Sequence, residues 1–184
     1  MDLFLIKTKL KNEFPLTQIE IQPYPQKAAV LVILYPKNNK THVLMTKRAL
    51  HLRSHAGEIS FPGGVYEEDE DDDLLATALR ETNEEVGVKI ETSKVIAELP
   101  IVNTRFGFEI TPFVCVISET LEFDPEEDEV DEILEIPFTS LLASQQQDVG
   151  FSPEKDIVMY WFKHHRIWGA SAKILLKIQQ LSVY

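Results

Sequence analysis

Along this 184-residue chain the apolar positions switch between two periods, and the switches mark its elements. Gln26 to Tyr35 is rich in Ala, Val, Leu and Ile between two prolines, which predicts a strand buried on both faces. Lys37-Asn38-Asn39-Lys40 then predicts a turn into a second strand around His42 to Lys47, a hairpin-like pair. Further strands are expected at Lys94 to Ile101 and Phe108 to Ser118, with Asn103 to Gly107 turning between them. Helical spacing occurs in Met1 to Phe14, stopped by Pro15, and again in Pro137 to Ser144 and Ser171 to Leu181. Between the first two of these an acidic run from Glu67 to Asp73 leads into an apolar one. Asp71 to Asp73 suit an N-cap and first turn, Leu74-Leu75-Ala76-Thr77-Ala78-Leu79 continues the helix, and Gly87 suits the residue after its end. Glu129 to Leu134, in the acid-dominated stretch Leu121 to Glu135, fits a strand or a short helix. Strands and helices alternate without a regular βαβ period. The expectation is an α+β fold, an α/β/α sandwich with a mixed central sheet, formed by one domain over residues 1–184 with no repeat or linker.

The helix ending at Gly87 carries Arg80-Glu81-Thr82-Asn83-Glu84-Glu85. Residues three and four apart on a helix lie one above the other, so Glu81, Glu84 and Glu85 share a face. Three crowded anions repel each other, whereas a hard divalent ion such as Mg²⁺ or Mn²⁺ takes such oxygen ligands and bridges them to phosphate. Upstream, Gly63-Gly64 offers a place where backbone groups approach without a side chain in the way.

Charge then narrows the partner. A formal net charge of −12 argues against a nucleic-acid binder, which needs a basic face. Yet Thr41 to Gly57 holds Lys47, Arg48 and Arg53 with His51 and His55 and no acidic residue. Such an island suits an anionic ligand, because Arg grips phosphate in a two-pronged fork. Strand alternation turns Lys47 and Arg48 to opposite faces, and Arg48 is the better candidate for the cleft. Cys115 in Phe113-Val114-Cys115-Val116-Ile117 reads as a strand core residue, not a nucleophile. No apolar stretch is long enough to span a bilayer and no leader pattern opens the chain, so a cytoplasmic location is expected.

The segment around Arg80 resembles the signature of the Nudix hydrolases, G-x5-E-x7-R-E-U-x-E-E-x-G-U, in which U is a bulky aliphatic residue. Arg80, Glu81, Glu84, Glu85, Gly87 and Val88 match its second half. The first half departs from it. Eight residues before Arg80 stands Asp72 instead of Glu, Gly64 lies two residues too early, and Thr82 takes an aliphatic slot. The upstream carboxylate, often a partner of the motif's Arg, is therefore open among Glu68, Asp71 and Asp72. Leu44-Met45-Thr46-Lys47-Arg48-Ala49 with Arg53, Gly57 and Phe61-Pro62-Gly63-Gly64 is similar to the motif that marks coenzyme A pyrophosphatases within the superfamily. Similarity continues at Val102 to Phe108, Thr111-Pro112-Phe113, Glu129 to Pro137 and Ile167 to Leu175, so that about 28–178 is covered and residues 1–25 form a variable extension.

That resemblance implies the sandwich fold and a metal-dependent pyrophosphohydrolase using Mg²⁺ or Mn²⁺. Glu81 and Glu85 would be its firmest ligands, and Glu84 would bind metal or position water. Arg80 would point to another side and anchor the preceding loop. The implied substrate is a nucleoside diphosphate derivative, coenzyme A first, cut to adenosine 3′,5′-bisphosphate and 4′-phosphopantetheine. Arg48, Arg53, Gly63 and Gly64 would contact it. Trp168, Ile167 and Lys173 would belong to a closing structural element. The general base stays open among the motif glutamates and Glu126, Glu127, Glu129 and Glu132, and the oligomeric state stays open, a homodimer included. Two other readings stand beside this one: a hydrolase of NADH, ADP-ribose or an oxidised nucleotide, and a catalytically silent module that binds a nucleotide or a basic partner protein.

Overall fold

A computed structural model describes residues 2–15, 26–104, 107–148 and 157–181. Its centre is β1 (Gln26–Lys37), which pairs in parallel with β7 (Phe108–Val116) along nine residues. Every other pairing among the described residues is antiparallel. The hairpin turn at Asn38-Asn39, both at positive φ, sends the chain back as β2 (Lys40–Arg48). On its outer edge β2 takes β8 (Val130–Pro137), which settles Glu129 to Leu134 as mainly strand. Beyond β7 lies β5 (Val95–Glu98), with the short β6 (Val102–Asn103) on the same edge. The mixed central sheet is as expected. The turn from Asn103 to Gly107 contains Arg105 and Phe106, which lie outside the described residues.

The sequence pattern did not foresee a wedge in this sheet. β1 and β2 pair only at Leu34–Lys37 with Lys40–Val43, then diverge. The gap between them is filled by residues 59–65. β3 (Ile59–Ser60) pairs with β2, β4 (Gly63–Val65) pairs with β1, and between these the Leu31 N–H donates to the Pro62 carbonyl at 2.9 Å. A backbone that two strands would share is thereby satisfied by a third segment, and that segment carries the glycine pair.

Alternation along β1 divides the interior. Ala29, Leu31, Ile33 and Tyr35 face the helix α2 (Leu74–Val86), with Leu44 and Cys115, while Val32, Leu34, Val43 and Met45 face the other layer. That second layer holds α1 (Leu3–Glu13), α3 (Phe138–Ala143), α4 (Gly169–Gln180) and a small antiparallel sheet, β9 (Gln146–Gln147), β10 (Val158–Phe162) and β11 (His165–Ile167), which the sequence pattern also did not announce. The result is an α/β/α sandwich with β1 buried on both faces. Burial pushes the Cys115 thiol well above its ordinary value, as befits a core residue. No helix among the described residues is long and apolar enough to cross a membrane.

Helix α2 is fixed at both ends. The Asp73 carboxylate accepts from the Ala76 N–H at 2.8 Å, and Gly87 closes the helix at φ 69°. Ile33→Ala, at a fully buried position of β1, is expected to cost about 2–5 kcal/mol by leaving a cavity, and Asp73→Ala about 1 kcal/mol by uncapping α2. Urea unfolding curves of the two variants check both values and their order.

Candidate active site

Four elements meet at one end of the sheet: the middle and end of α2, the glycine pair in β4, the exit of β2, and the loop before β8. Helical spacing places Glu81 and Glu85 on the side of α2 that faces Gly63-Gly64, and the packing there leaves no room for side chains. A Cβ on Gly64 would overlap the Glu81 carboxylate, and one on Gly63, at φ 148°, would overlap the Ala29 carbonyl oxygen. The glycines are therefore a steric requirement of the carboxylates and of the wedge.

Glu85 is the most buried of the three acids, with 3% of its side chain exposed. Its Oε2 accepts from the Gly63 N–H at 3.2 Å, and its Oε1 lies 3.5 Å from Arg48 Nη1. Burial pushes its pKa up to about 8, against the lowering influence of Arg48 and the Gly63 N–H. Negative charge on Glu81 and Glu129 contributes to the rise. Glu81 has 15% of its side chain exposed and is also shifted upward, first by burial and then by Glu84 and Glu129, with Arg80 opposing. Two carboxylates held together with so few cationic partners make a site with strong demand for a cation. Their hard oxygen donors fit Mg²⁺ or Mn²⁺.

Glu84 is placed differently. More than half of its side chain is exposed, and its Oε2 accepts from Arg80 Nη1 at 2.9 Å. Among the described residues no three acidic, His or Cys side chains stand together at metal-ligand spacing, because Glu84 turns to Arg80 while Glu81 and Glu85 turn to the glycines.

Arg80 does anchor the preceding loop, and Asp71 is its partner. Nε and Nη2 donate to Oδ1 and Oδ2 of Asp71 at 2.9 and 3.0 Å, a two-pronged pair with a carboxylate that is 1% exposed. Burial alone would raise the Asp71 pKa, but the Arg80 guanidinium and the hydrogen bonds to Glu67 and Thr77 hold it below the usual carboxylate range. The open position is thus filled from nine residues upstream, not eight, and neither Glu68 nor Asp72 takes it. The expectation that Arg80 points away from the acids does not hold. Its third nitrogen, Nη1, lies 3.0 Å from Glu81 Oε1 as well as beside Glu84. A guanidinium is long enough to grip Asp71 with one edge and still reach back along the helix.

The basic island separates as strand alternation required. Arg48 faces Glu85, whereas Lys47 turns to the opposite face and pairs with Asp131. Arg53 is exposed in the loop between β2 and β3, where His55 pairs with Glu58. In the acidic loop, the Glu126 N–H donates to the Glu85 carbonyl at 3.1 Å and the Asp124 N–H to the Val86 carbonyl at 3.0 Å, so the loop is tied to the end of α2. The Glu129 carbonyl accepts from the Ala49 N–H at 2.8 Å, next to Arg48. Of the four acids left open, Glu129 is the one whose charge reaches both Glu81 and Glu85, while Glu132 lies 3.4 Å from His165 on the other face. Lys173 donates to the Asn103 carbonyl and Trp168 stacks with Arg166, both in the layer of α4. Thr77 went unnoticed in the sequence, hidden in an apolar run. Its spacing, six after an aspartate and three before an arginine, was the available signal.

Comparison with known proteins gives the family and the fold. The NUDIX domain profile matches residues 25–173. The uncharacterized Nudix hydrolase NudL of Salmonella heidelberg (strain SL476) is 35% identical over 182 residues, covering 97% of this chain and 92% of its own, and NudL of Salmonella enteritidis PT4 (strain P125109) is 36% identical over the same span. Among solved structures, a MutT/nudix family protein from Enterococcus faecalis aligns with TM-score 0.63 and 17% identity over 100% of this chain and 75% of its own. The NUDIX domain of Shewanella oneidensis NrtR, solved with ADP ribose, aligns with TM-score 0.54 and 20% identity over 64% and 76%. With the sandwich, the glutamate helix and the profile match in agreement, the chain belongs to the Nudix hydrolases, enzymes that act on pyrophosphate bonds.

Proposed function

We propose that this enzyme is a divalent-metal-dependent pyrophosphohydrolase whose substrate is coenzyme A or a derivative, cut to adenosine 3′,5′-bisphosphate and 4′-phosphopantetheine. The observation that carries the metal half of this reading is the Glu81–Glu85 pair, buried against Gly63-Gly64 with Arg48, among the described residues, as the cation facing Glu85. Mg²⁺ or Mn²⁺ bound there would polarise phosphoryl oxygens and lower the pKa of water. The chain's own groups do the rest. The Gly63 N–H fixes one oxygen of Glu85, and Arg48 stands where it can hold a phosphate oxygen of the diphosphate. Glu129, whose negative charge acts on both acids, would accept the proton as the water oxygen bonds to phosphorus and the bridging P–O bond breaks. Glu84 stays at the rim on Arg80.

The coenzyme A half rests on the residues similar to the pyrophosphatase motif and on the charge around the cleft. Coenzyme A carries a 3′-phosphate besides its diphosphate, which calls for a cation away from the metal site. Arg53 is exposed in the loop that leaves Arg48, and it supplies that charge.

Mass spectrometry of the products, with coenzyme A compared to its 3′-dephospho form, NADH and ADP-ribose, tests the reading. Coenzyme A should give the two named products and be preferred over the dephospho form. Arg53→Ala should remove about 10- to 100-fold of that preference, the worth of a charge-assisted contact. Faster turnover of ADP-ribose or NADH would replace coenzyme A as the substrate. Glu85→Gln should lower turnover at least about 100-fold, and equal inactivity of wild type and variant on every diphosphate would leave a binding module. Gly64→Ala, which drives a methyl into the Glu81 carboxylate, should weaken Mn²⁺ binding as well as turnover.

Acid–base linkage gives a test that needs no substrate. The folded-state pKa of Glu85 is raised, so its contribution to metal-free stability is full below about pH 4.5 and is lost as pH rises through about 8. Metal-free protein should therefore show a falling melting temperature across that window, and Glu85→Gln should flatten the slope. At pH 7 cation binding should release a proton from wild type, measurable by calorimetry in buffers of different ionisation enthalpy, and a much smaller amount from Glu85→Gln.

A further inference from the structure

We propose that Thr77 is a positioning residue for the cation site, acting through Asp71 on Arg80. The inference rests on the reading of Glu81 and Glu85 as cation ligands. Thr77 is fully buried on α2, and its Oγ1 is 2.9 Å from Asp71 Oδ2 and 3.3 Å from the Asp73 carbonyl. A hydroxyl has one proton, and the shorter, charged acceptor takes it. Asp71 Oδ2 then receives three donors: Thr77 Oγ1, Arg80 Nη2 at 3.0 Å and the Glu67 N–H at 3.1 Å. Oδ1 receives Arg80 Nε at 2.9 Å.

This carboxylate comes from one residue further upstream than the signature places it, on a side chain one methylene shorter than Glu. A short acid on a loop has fewer fixed directions than one anchored in regular structure. The Thr77 hydroxyl, projecting from a helix, supplies the missing constraint. It sets the plane in which Asp71 meets both donors on one edge of the guanidinium.

The consequence lies at the other end of the same rigid group. While Nε and Nη2 are committed to Asp71, only Nη1 is left to contact Glu81 at 3.0 Å and Glu84 at 2.9 Å. Arg80 released from Asp71 would turn its two-donor edge toward Glu81 and become a tight resident counter-ion, competing with a divalent cation for its oxygens. Thr77 thus keeps the competition weak.

The test is a Mn²⁺ titration followed by the electron paramagnetic resonance of free Mn²⁺, with wild type, Thr77→Val and Thr77→Ser, each melted in EDTA for comparison. Thr77→Val, which keeps the shape and removes the hydroxyl, should bind Mn²⁺ about three- to tenfold more weakly, and Thr77→Ser should bind within about twofold of wild type. Unchanged affinity in Thr77→Val, with or without a lower melting temperature, overturns the proposal, as does equal weakening in both variants. If Thr77→Val does not fold, Thr77→Ala answers the same question. Absence of Mn²⁺ binding in wild type would overturn the cation-ligand reading itself. A failure of coenzyme A turnover alone touches neither titration.

Discussion

Glu85 is an ionisable group enclosed by protein, met among the described residues by the Gly63 N–H and the Arg48 guanidinium. Burial of a carboxylate is costly unless its charge is met, and that unmet demand organises the surrounding fold. Gly64 leaves the space that the Glu81 carboxylate fills, and Gly63 the space taken by the Ala29 carbonyl. Their strand exists because β1 and β2 diverge and a third segment fills the gap. What looks like a defect in the central sheet is the means by which backbone is delivered to the carboxylates.

The same demand explains why the neighbours are tied so closely to α2. The acidic loop donates two backbone N–H groups to the last carbonyls of the helix, one of them that of Glu85 itself. It thereby caps the helix, and the charge of Glu129 in this loop acts on both acids. Through Ala49 the loop is also joined to the exit of β2, where Arg48 faces the site. A shift of any one strand at this end would move an acid or its cation. Arg80 plays a double part, tethering the loop before α2 and partly neutralising Glu81 and Glu84. Such an arrangement holds like charges together without a bound ion, at the cost of a weak competitor at the site.

Much of this was legible because regular elements write themselves into sequence. The double-faced burial of β1, the N-cap and glycine stop of α2, the hairpin at Asn38-Asn39 and the opposed faces of Lys47 and Arg48 all follow from period and cap chemistry. Loops carry no period. The spacing from Asp71 to Arg80 depends on how the chain turns between Tyr66 and Asp73, so counting back along the signature pointed one residue away. Helical spacing also grouped three glutamates on a face, but what each one meets is decided by the opposite surface, and Glu84 meets Arg80 and solvent. The strands β3, β4 and β9 are too short for alternation to show, and β8 carries acids on positions that a strand and a short helix would both permit. Thr77 was invisible for a similar reason, since a single hydroxyl in an apolar run reads as a tolerated core residue until its partner is seen.

Anomalous diffraction from crystals soaked in Mn²⁺ is the most direct test of the central claim. Strong density between the Glu81 and Glu85 carboxylates, on the side of Gly63-Gly64, with Glu85 moved or reoriented to meet the ion, is the predicted result. Density elsewhere, with the Glu85 carboxylate still bonded to the Gly63 N–H and Arg48 undisturbed beside it, would contradict the account.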